Sequence, residues 1–311
     1  MSGRRPVVAV TGANGFVAGH LVPELERGGF EVRRVLRRAE PGAAVIGAIG
    51  PETDWEAVLS GVDTVIHLAA LAHRRGGGEA EPLYRSINAD GAIRLGRCAA
   101  GAGVRHMVFM STIFVHGRTT DGREPFREHD SLQPCGFYAV SKAEAEAGLD
   151  SVAQEGRMRV SVIRPPLIYG AGAKANFALL ARAAKLGLPL PFASIRNRRA
   201  FLAVPNLASF VLWLLEHPEL TPRFERFLVA DVEQVSTPEL CRLLAAAAGS
   251  KARLFGFSVD FLGRMITAIA SRQMRDALIG SLEIDLSKLM STGWRPRVTL
   301  EEGLSLVFSP L

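Results

Sequence analysis

The stretch Val7-Val8-Ala9-Val10-Thr11-Gly12-Ala13-Asn14-Gly15-Phe16-Val17-Ala18 constrains the fold of this chain more than any other. An unbroken apolar run that ends in a glycine-rich turn reads as a strand buried on both faces, as in a parallel sheet. A helical pattern follows, with Leu21, Val22 and Leu25 on one face, and it stops at Gly28-Gly29. A strand turning on small residues into a helix presents free backbone N–H groups and a partial positive charge, where a pyrophosphate can sit. A glycine pattern alone is weak; the strand before it and the helix after it make this one a dinucleotide signal. The spacing is Gly-x-x-Gly-x-x-Ala, with Ala18 in the third glycine's place, where only helix packing is at stake.

The rest of the N-terminal half alternates in the same way. Residues 31–36, 62–68, 107–110 and 161–164 read as further strands, with helical segments over 83–100 and 138–154 between them. Such alternation predicts an α/β fold with a Rossmann-type, doubly wound parallel sheet. After Tyr169, loops rich in Gly, Pro and Arg (170–174, 187–199) separate shorter helices. The expected organisation is an NAD(P)-binding Rossmann domain over 1–170 and a smaller C-terminal lobe over 171–311. That lobe is expected to bind mainly substrate and to return some segments to the sheet; 311 residues suffice for both.

A net charge of +6 favours anionic partners: nucleic acid, an acidic membrane or a phosphorylated small molecule. The arginines occur as scattered pairs (33-34, 37-38, 74-75, 198-199) with no interleaved aromatics, which argues against nucleic acid. Arg37 and Arg38 end the second strand, where an NAD site usually carries an acidic residue. Two guanidinium groups there suit the 2′-phosphate of NADP, so the expected cofactor is NAD or NADP with a lean to NADP. Cys98, Cys135 and Cys241 are far apart and form no CxxC pair, which suits reduced thiols in a cytoplasmic protein without a metal site. The N-terminal residues lack a signal-peptide core, and no apolar run reaches the ~18–20 residues of a membrane span. In residues 259–274, Leu262, Met265, Ile266 and Ile269 have helical spacing, and the expectation is a helix packed on the core and not on a membrane.

Tyr138 and Lys142 stand at i and i+4, on one face of the predicted helix. A free phenol, with a pKa near ~10, is a poor base at neutral pH. An ammonium about 4 Å away at an effective dielectric of ~20 contributes ~4 kcal/mol, or about three pKa units, and an oxidised nicotinamide adds to it. Tyr138 is thus expected to exchange a proton with a substrate hydroxyl as hydride moves, with Lys142 also holding the cofactor ribose.

The chain resembles the extended short-chain dehydrogenases/reductases, in their nucleotide-sugar epimerase/dehydratase branch. The resemblance is carried by Thr11 to Ala18, Val65-Ile66-His67-Leu68-Ala69-Ala70, Asn88, Ser111-Thr112 to Gly117, Tyr138 and Lys142, Arg164-Pro165-Pro166 to Tyr169-Gly170, and Arg199 to Val204. It implies cofactor contacts at Gly12, Asn14, Gly15, Phe16, Val17, Leu68, Ala69, Ala70 and Pro165, besides Tyr138 and Lys142. It further implies that Thr112 hydrogen-bonds the reacting oxygen and that Asn88 steadies the active-site helix, often through water. Asn176, Arg199 and Arg275 fall where relatives contact the substrate diphosphate, and His116 replaces a frequent tyrosine beside the sugar. Ile113-Phe114 stands where the 4,6-dehydratases carry Asp-Glu, which disfavours dehydration.

Residues 173–177, 188–192 and 196–199 resemble a narrower subgroup, the UDP-N-acetylquinovosamine dehydrogenases. The resemblance therefore implies redox chemistry at C4 of a UDP-sugar. The expectation is a reductase of a UDP-4-keto-6-deoxy-N-acetylhexosamine in bacterial surface polysaccharide synthesis, with a UDP-glucose or UDP-N-acetylglucosamine 4-epimerase as the alternative. A non-catalytic NAD(P)-binding sensor is a further alternative, but it has no need of Thr112, Tyr138 and Lys142 together. A reductase of small carbonyl compounds would keep these three without needing Asn176 or Arg199. In the family the helices over 83–100 and 138–154 often pair across a homodimer seam; the Ala-rich face here suits that and intramolecular packing equally.

Overall fold

The computed structural model describes residues 4–72, 80–173 and 175–309. Its strands are β1 (Val7–Thr11), β2 (Glu31–Leu36), β3 (Ala43–Val45), β4 (Thr64–His67), β5 (His106–Met110), β6 (Arg159–Arg164), β7 (Leu167–Tyr169), β8 (Pro189–Leu190), β9 (Phe201–Ala203), β10 (Phe224–Leu228) and β11 (Arg253–Leu254). The helices are α1 (Phe16–Arg27), α2 (Glu56–Leu59), α3 (Glu81–Tyr84), α4 (Gly91–Gly101), α5 (Phe137–Glu155), α6 (Ala175–Lys185), α7 (Val204–Glu216), α8 (Thr237–Ala247), α9 (Val259–Ile269), α10 (Arg272–Ile279), α11 (Ser287–Ser291) and α12 (Leu300–Leu306).

The chain forms two compact units. The first comprises Met1–Val115, Ser131–Arg164 and Ala208–Phe227, and the second His116–Asp130, Pro165–Leu207 and Leu228–Leu311. In the first, a seven-stranded sheet runs in the order β10-β6-β5-β4-β1-β2-β3. The pairs β1·β2, β1·β4, β2·β3, β4·β5 and β5·β6 are all parallel. This is the Rossmann order, and it reverses direction between β1 and β4, the place where open α/β sheets bind ligands. The short β3 has one exposed and two half-buried residues. With so few buried side chains it leaves no periodic signal in the sequence.

The core of this unit is aliphatic, with Val7, Ala9, Val65, Leu95, Met107, Leu149 and Val160 among its buried residues. Two glycines set how closely α4 and α5 approach. A Cβ on Gly96 would lie 2.6 Å from Leu149 Cδ2, and one on Gly148 would collide with Ile93 Cδ1. The small residues of these helices thus serve a contact within the chain.

In the second unit, β7 and β9 pair in parallel, as do β8 and β11. The buried Asp231 carboxylate accepts hydrogen bonds from Tyr169 Oη (2.8 Å), Asn206 Nδ2 (2.8 Å) and the Ala203 amide, so one side chain fixes three segments. Burial raises the pKa of Asp231, while its hydrogen bonds oppose the rise. The expected helix over 259–274 is two helices, because Ser271 caps a new one with its side chain accepting from the Met274 amide at 3.1 Å. Leu262 and Ile266 pack with Phe192, Ile195 and Cys241, as expected. Met265 and Ile269 do not; they are exposed.

Two buried histidines end sheet strands: His67 at the close of β4 and His106 at the start of β5. Burial lowers both pKa values from 6.5 to about 3, with Lys142 adding to the effect at His67 and Arg159 at His106. Each is neutral when folded, so below about 6.5 the unfolded chain binds more protons and stability declines as pH falls toward about 3. The midpoint of thermal unfolding is expected to fall steadily between about pH 6.5 and 4.5, and a His67→Gln/His106→Gln chain is expected to lose most of that slope. A midpoint equally pH-dependent in both chains would count against this origin. Gly148→Ala is expected to destabilise by about 1–3 kcal/mol in urea titrations, through overpacking against Ile93.

Candidate active site

The carboxyl ends of β1 and β4 meet with no space to spare. Thr11 and His67 are register partners, and Thr11 Oγ hydrogen-bonds His67 Nδ1 at 2.7 Å while accepting from the Ala69 amide at 3.3 Å. Gly12 follows with φ +69°, and a Cβ there would lie 2.9 Å from the Ala69 backbone nitrogen. Only glycine suits both the backbone angle and the gap. The Gly15 amide donates to the Gly12 carbonyl at 2.9 Å, and no side chain caps α1. The first-turn amides of α1 are thus left for an external acceptor, and the backbone lies bare, which fits the pyrophosphate of a dinucleotide.

Around this turn, Phe16 and Val17 are half-buried, and Asn14 is exposed with Nδ2 3.5 Å from Glu40 Oε1. Leu68 and Ala69 are half-buried and Ala70 exposed, on the segment following β4. Arg37 and Arg38 are both exposed just past β2.

On α5, Tyr138, Lys142 and Glu146 stand at i, i+4 and i+8, in one column. Lys142 is fully buried, and its Nζ donates to the Met110 carbonyl at 2.7 Å and lies 4.4 Å from the Phe109 ring centroid. Burial lowers its pKa to about 7, and the Glu146 carboxylate opposes the fall. The Tyr138 phenol is pushed up to about 12, chiefly by burial, with Tyr84 adding. This corrects the electrostatic expectation: Lys142 does not by itself bring the phenol down. Burial disfavours the charged form of both groups, raising the phenol and lowering the ammonium.

Glu146 is the residue that sequence reasoning missed. It is buried, takes a two-pronged bond from Arg164 Nε and Nη2, and accepts a short hydrogen bond from Ser111 Oγ. Ser111 precedes Thr112, which is buried and whose Oγ accepts from the Phe114 amide at 3.3 Å. Extending the i, i+4 spacing by one turn past Lys142 was the available signal.

Asn88 lies in a π-helical turn (Arg85–Asp90) between α3 and α4. Such turns frequently occur at functional sites. Its amide bonds both polar groups of Leu71 (2.8 and 3.0 Å), and its Nδ2 also donates to Ser141 Oγ at 3.1 Å. Ser141 Oγ donates in turn to the Tyr138 carbonyl at 2.9 Å. Asn88 therefore ties the segment after β4 to the first turn of α5.

The remaining expected residues lie in the second unit. Pro165 is buried, and Asn176 is exposed on α6. His116 is buried against the Phe126 ring at 5.3 Å. Arg199 is buried, and its Nη1 donates to the carbonyls of Asp276 (2.8 Å) and Gly280 (2.5 Å), capping the C-terminal end of α10. Burial lowers its pKa to about 10, against the charges of Asp121 and Asp276, so it stays cationic near neutrality. Arg275 is exposed and pairs with Asp276 at 2.6 Å. A cavity of about 650 Å³ in this unit is lined in part by Asp121, Arg264, Thr267, Arg272, Arg275 and Asp276. Arg264 and Arg272 carried no sequence signal beyond their charge.

Comparison with known proteins agrees with this geometry. The model of the NAD dependent epimerase/dehydratase family matches residues 8–230. A UDP-glucose 4-epimerase of Vibrio cholerae is 36% identical over 305 residues, 95% of this chain and 92% of the relative. A ceramide reductase of Caulobacter vibrioides is 27% identical over 94% of this chain and 86% of its own. The structure of MoeE5 in complex with UDP-glucose and NAD has a TM-score of 0.75 at 26% identity, covering 96% of each chain. No helix among the described residues is long and apolar enough to cross a membrane. This chain belongs to the NAD dependent epimerase/dehydratase family, and with it to the extended short-chain dehydrogenases/reductases, as an NAD-dependent enzyme.

Proposed function

We propose that the chain is a UDP-sugar 4-epimerase, oxidising and re-reducing C4 of a UDP-hexose or UDP-N-acetylhexosamine. The observation that carries this reading is the column Tyr138, Lys142 and Glu146 on α5, in a chain 36% identical to a protein named UDP-glucose 4-epimerase. That relative favours the epimerase over the 4-ketoreductase expected from the sequence, although both reactions use the same residues.

NAD, when bound, supplies the hydride acceptor and donor and, oxidised, a positive charge that favours a phenolate. Gly12, Gly15 and the start of α1 would hold the pyrophosphate, and Phe16, Val17, Leu68, Ala69 and Ala70 would line the remainder of that site. Arg37 and Arg38, exposed past β2, would flank the adenosine ribose. Tyr138 Oη takes the proton of the sugar 4-hydroxyl and returns it, and Thr112 Oγ hydrogen-bonds the same oxygen. Lys142 would hold the cofactor ribose and, when protonated, favours the phenolate; Glu146 favours that charged form. Asn88 and Ser141 fix the turn that carries Tyr138. We read the first unit as the cofactor half and the second as the nucleotide-sugar half, with Asn176, Arg199 and Arg275 facing a diphosphate, Arg264 and Arg272 lining the same cavity as Arg275, and His116 facing the sugar.

The enzyme is expected to interconvert UDP-glucose and UDP-galactose, or their N-acetyl forms, with no net change in NADH. Tyr138→Phe is expected to lower kcat by at least about a hundredfold. Stoichiometric NADH oxidation with a UDP-4-keto sugar, and no epimerisation of any UDP-hexose, would return the reading to the ketoreductase. Gly12→Ala is expected to weaken NAD binding at least about tenfold by calorimetry, since it combines a strained φ with a backbone clash. An unchanged affinity would remove Gly12 from the cofactor site. Glu146→Gln withdraws the charge that raises the Lys142 pKa, so the ammonium is lost at lower pH and the alkaline fall of kcat shifts toward acid. The same variant takes the carboxylate's charge away from the buried Arg164 guanidinium, at a stability loss of about 3–5 kcal/mol. An alkaline limb that stays in place in the folded variant would separate Glu146 from Lys142.

A further inference from the structure

We propose that the face formed by α9 and the segment before it docks on an anionic lipid bilayer. Phe261, Met265 and Ile269, spaced four apart on α9, form one stripe and are 54, 39 and 80% exposed. Phe255 and Phe257 continue it at 46 and 36% exposure, with ring centroids 6.5 Å apart and Phe257 5.6 Å from Phe261. Leu262 and Ile266, a third of a turn round the helix, already satisfy the core, so the stripe is surplus to folding. Large apolar side chains grouped in this way on a surface mark an interaction site and are unlike scattered exposed leucines.

Charge selects the occupant. Beside the aromatic run Lys251 and Arg253 are exposed, and over residues 251–269 the one acidic side chain is Asp260, on the cavity flank of α9. Neither of these two cations enters an ion pair among the described residues. A second copy of the chain docked face to face would bring identical cations together. An anionic bilayer accepts both features at once: aromatic and aliphatic side chains enter the headgroup boundary while lysine and arginine meet the lipid phosphates. The opposite flank of α9, through Asp260, Gly263, Arg264 and Thr267, lines the 650 Å³ cavity, so a docked α9 would lie between the bilayer and that cavity. The proposal does not depend on the epimerase reading.

The test is co-sedimentation of the full chain with vesicles of phosphatidylglycerol mixed with phosphatidylcholine, and with phosphatidylcholine alone. Binding is expected only to the anionic vesicles and is expected to decline with added salt. Lys251→Glu/Arg253→Glu, and separately Phe257→Ser/Phe261→Ser/Ile269→Ser, are each expected to weaken it at least about tenfold with little change in the thermal midpoint, since all five side chains are exposed. No binding to anionic vesicles overturns the proposal. So does binding that survives the serine variant, which would reflect overall charge alone. A dimer in solution that the serine variant dissociates, without vesicle binding, would make the face an interface between copies and overturn it equally.

Discussion

The buried pairing of Glu146 with Arg164 is the interaction on which the candidate active-site edge of the sheet depends. Two charges withdrawn from water at 2% exposure or less survive only with nearly complete hydrogen bonding, and this pair has it: a two-pronged guanidinium–carboxylate contact plus the Ser111 hydroxyl. It fastens α5 to the ends of β6 and β5, so the helix that carries Tyr138 and Lys142 cannot slide against the sheet. The same carboxylate acts electrostatically one turn away, where it holds up the pKa of a lysine that burial drives to about 7. Structural anchoring and proton chemistry therefore share one side chain.

A second, uncharged constraint operates between β1 and β4. Thr11 Oγ accepts from the Ala69 amide, so its own proton is available to His67 Nδ1, and the imidazole stays neutral because burial and Lys142 both disfavour its cation. This junction brings the glycine turn against the segment after β4 with no room for a side chain at Gly12. The bare backbone that a pyrophosphate needs is thus a consequence of strand register, fixed well before any ligand arrives.

What the sequence discloses and what it hides follow from how local each signal is. The apolar run of β1, the glycine turn and the i, i+4 pair of Tyr138 and Lys142 are local, and β2 lies where alternation places it. The π turn around Asn88 is invisible to periodicity because one extra residue per turn changes no composition. The break between α9 and α10 rests on the cap made by Ser271, which a search for apolar spacing passes over. The Tyr138–Lys142 electrostatics are the clearest case: a spacing argument supplies the Coulomb attraction but not the burial, and burial decides the direction of both shifts. Arg199 similarly looks from sequence like a free anion-binding cation, yet two of its donors are committed to the carbonyls at the end of α10.

The net charge of +6, which at first says only that the surface favours anions, divides into physically different sets once the fold is known. Arg164 and Arg199 are buried, and each is held by fixed acceptors, so they organise the protein before they can organise a ligand. Arg264, Arg272 and Arg275 border a cavity that also carries Asp121 and Asp276, a mixed lining suited to a small anion of defined shape more than to a broad surface. Lys251 and Arg253 stand beside exposed phenylalanines, where a cation gains most from a partner that is both charged and greasy. Burial and neighbours, more than the count of arginines, determine which anion each cation can serve.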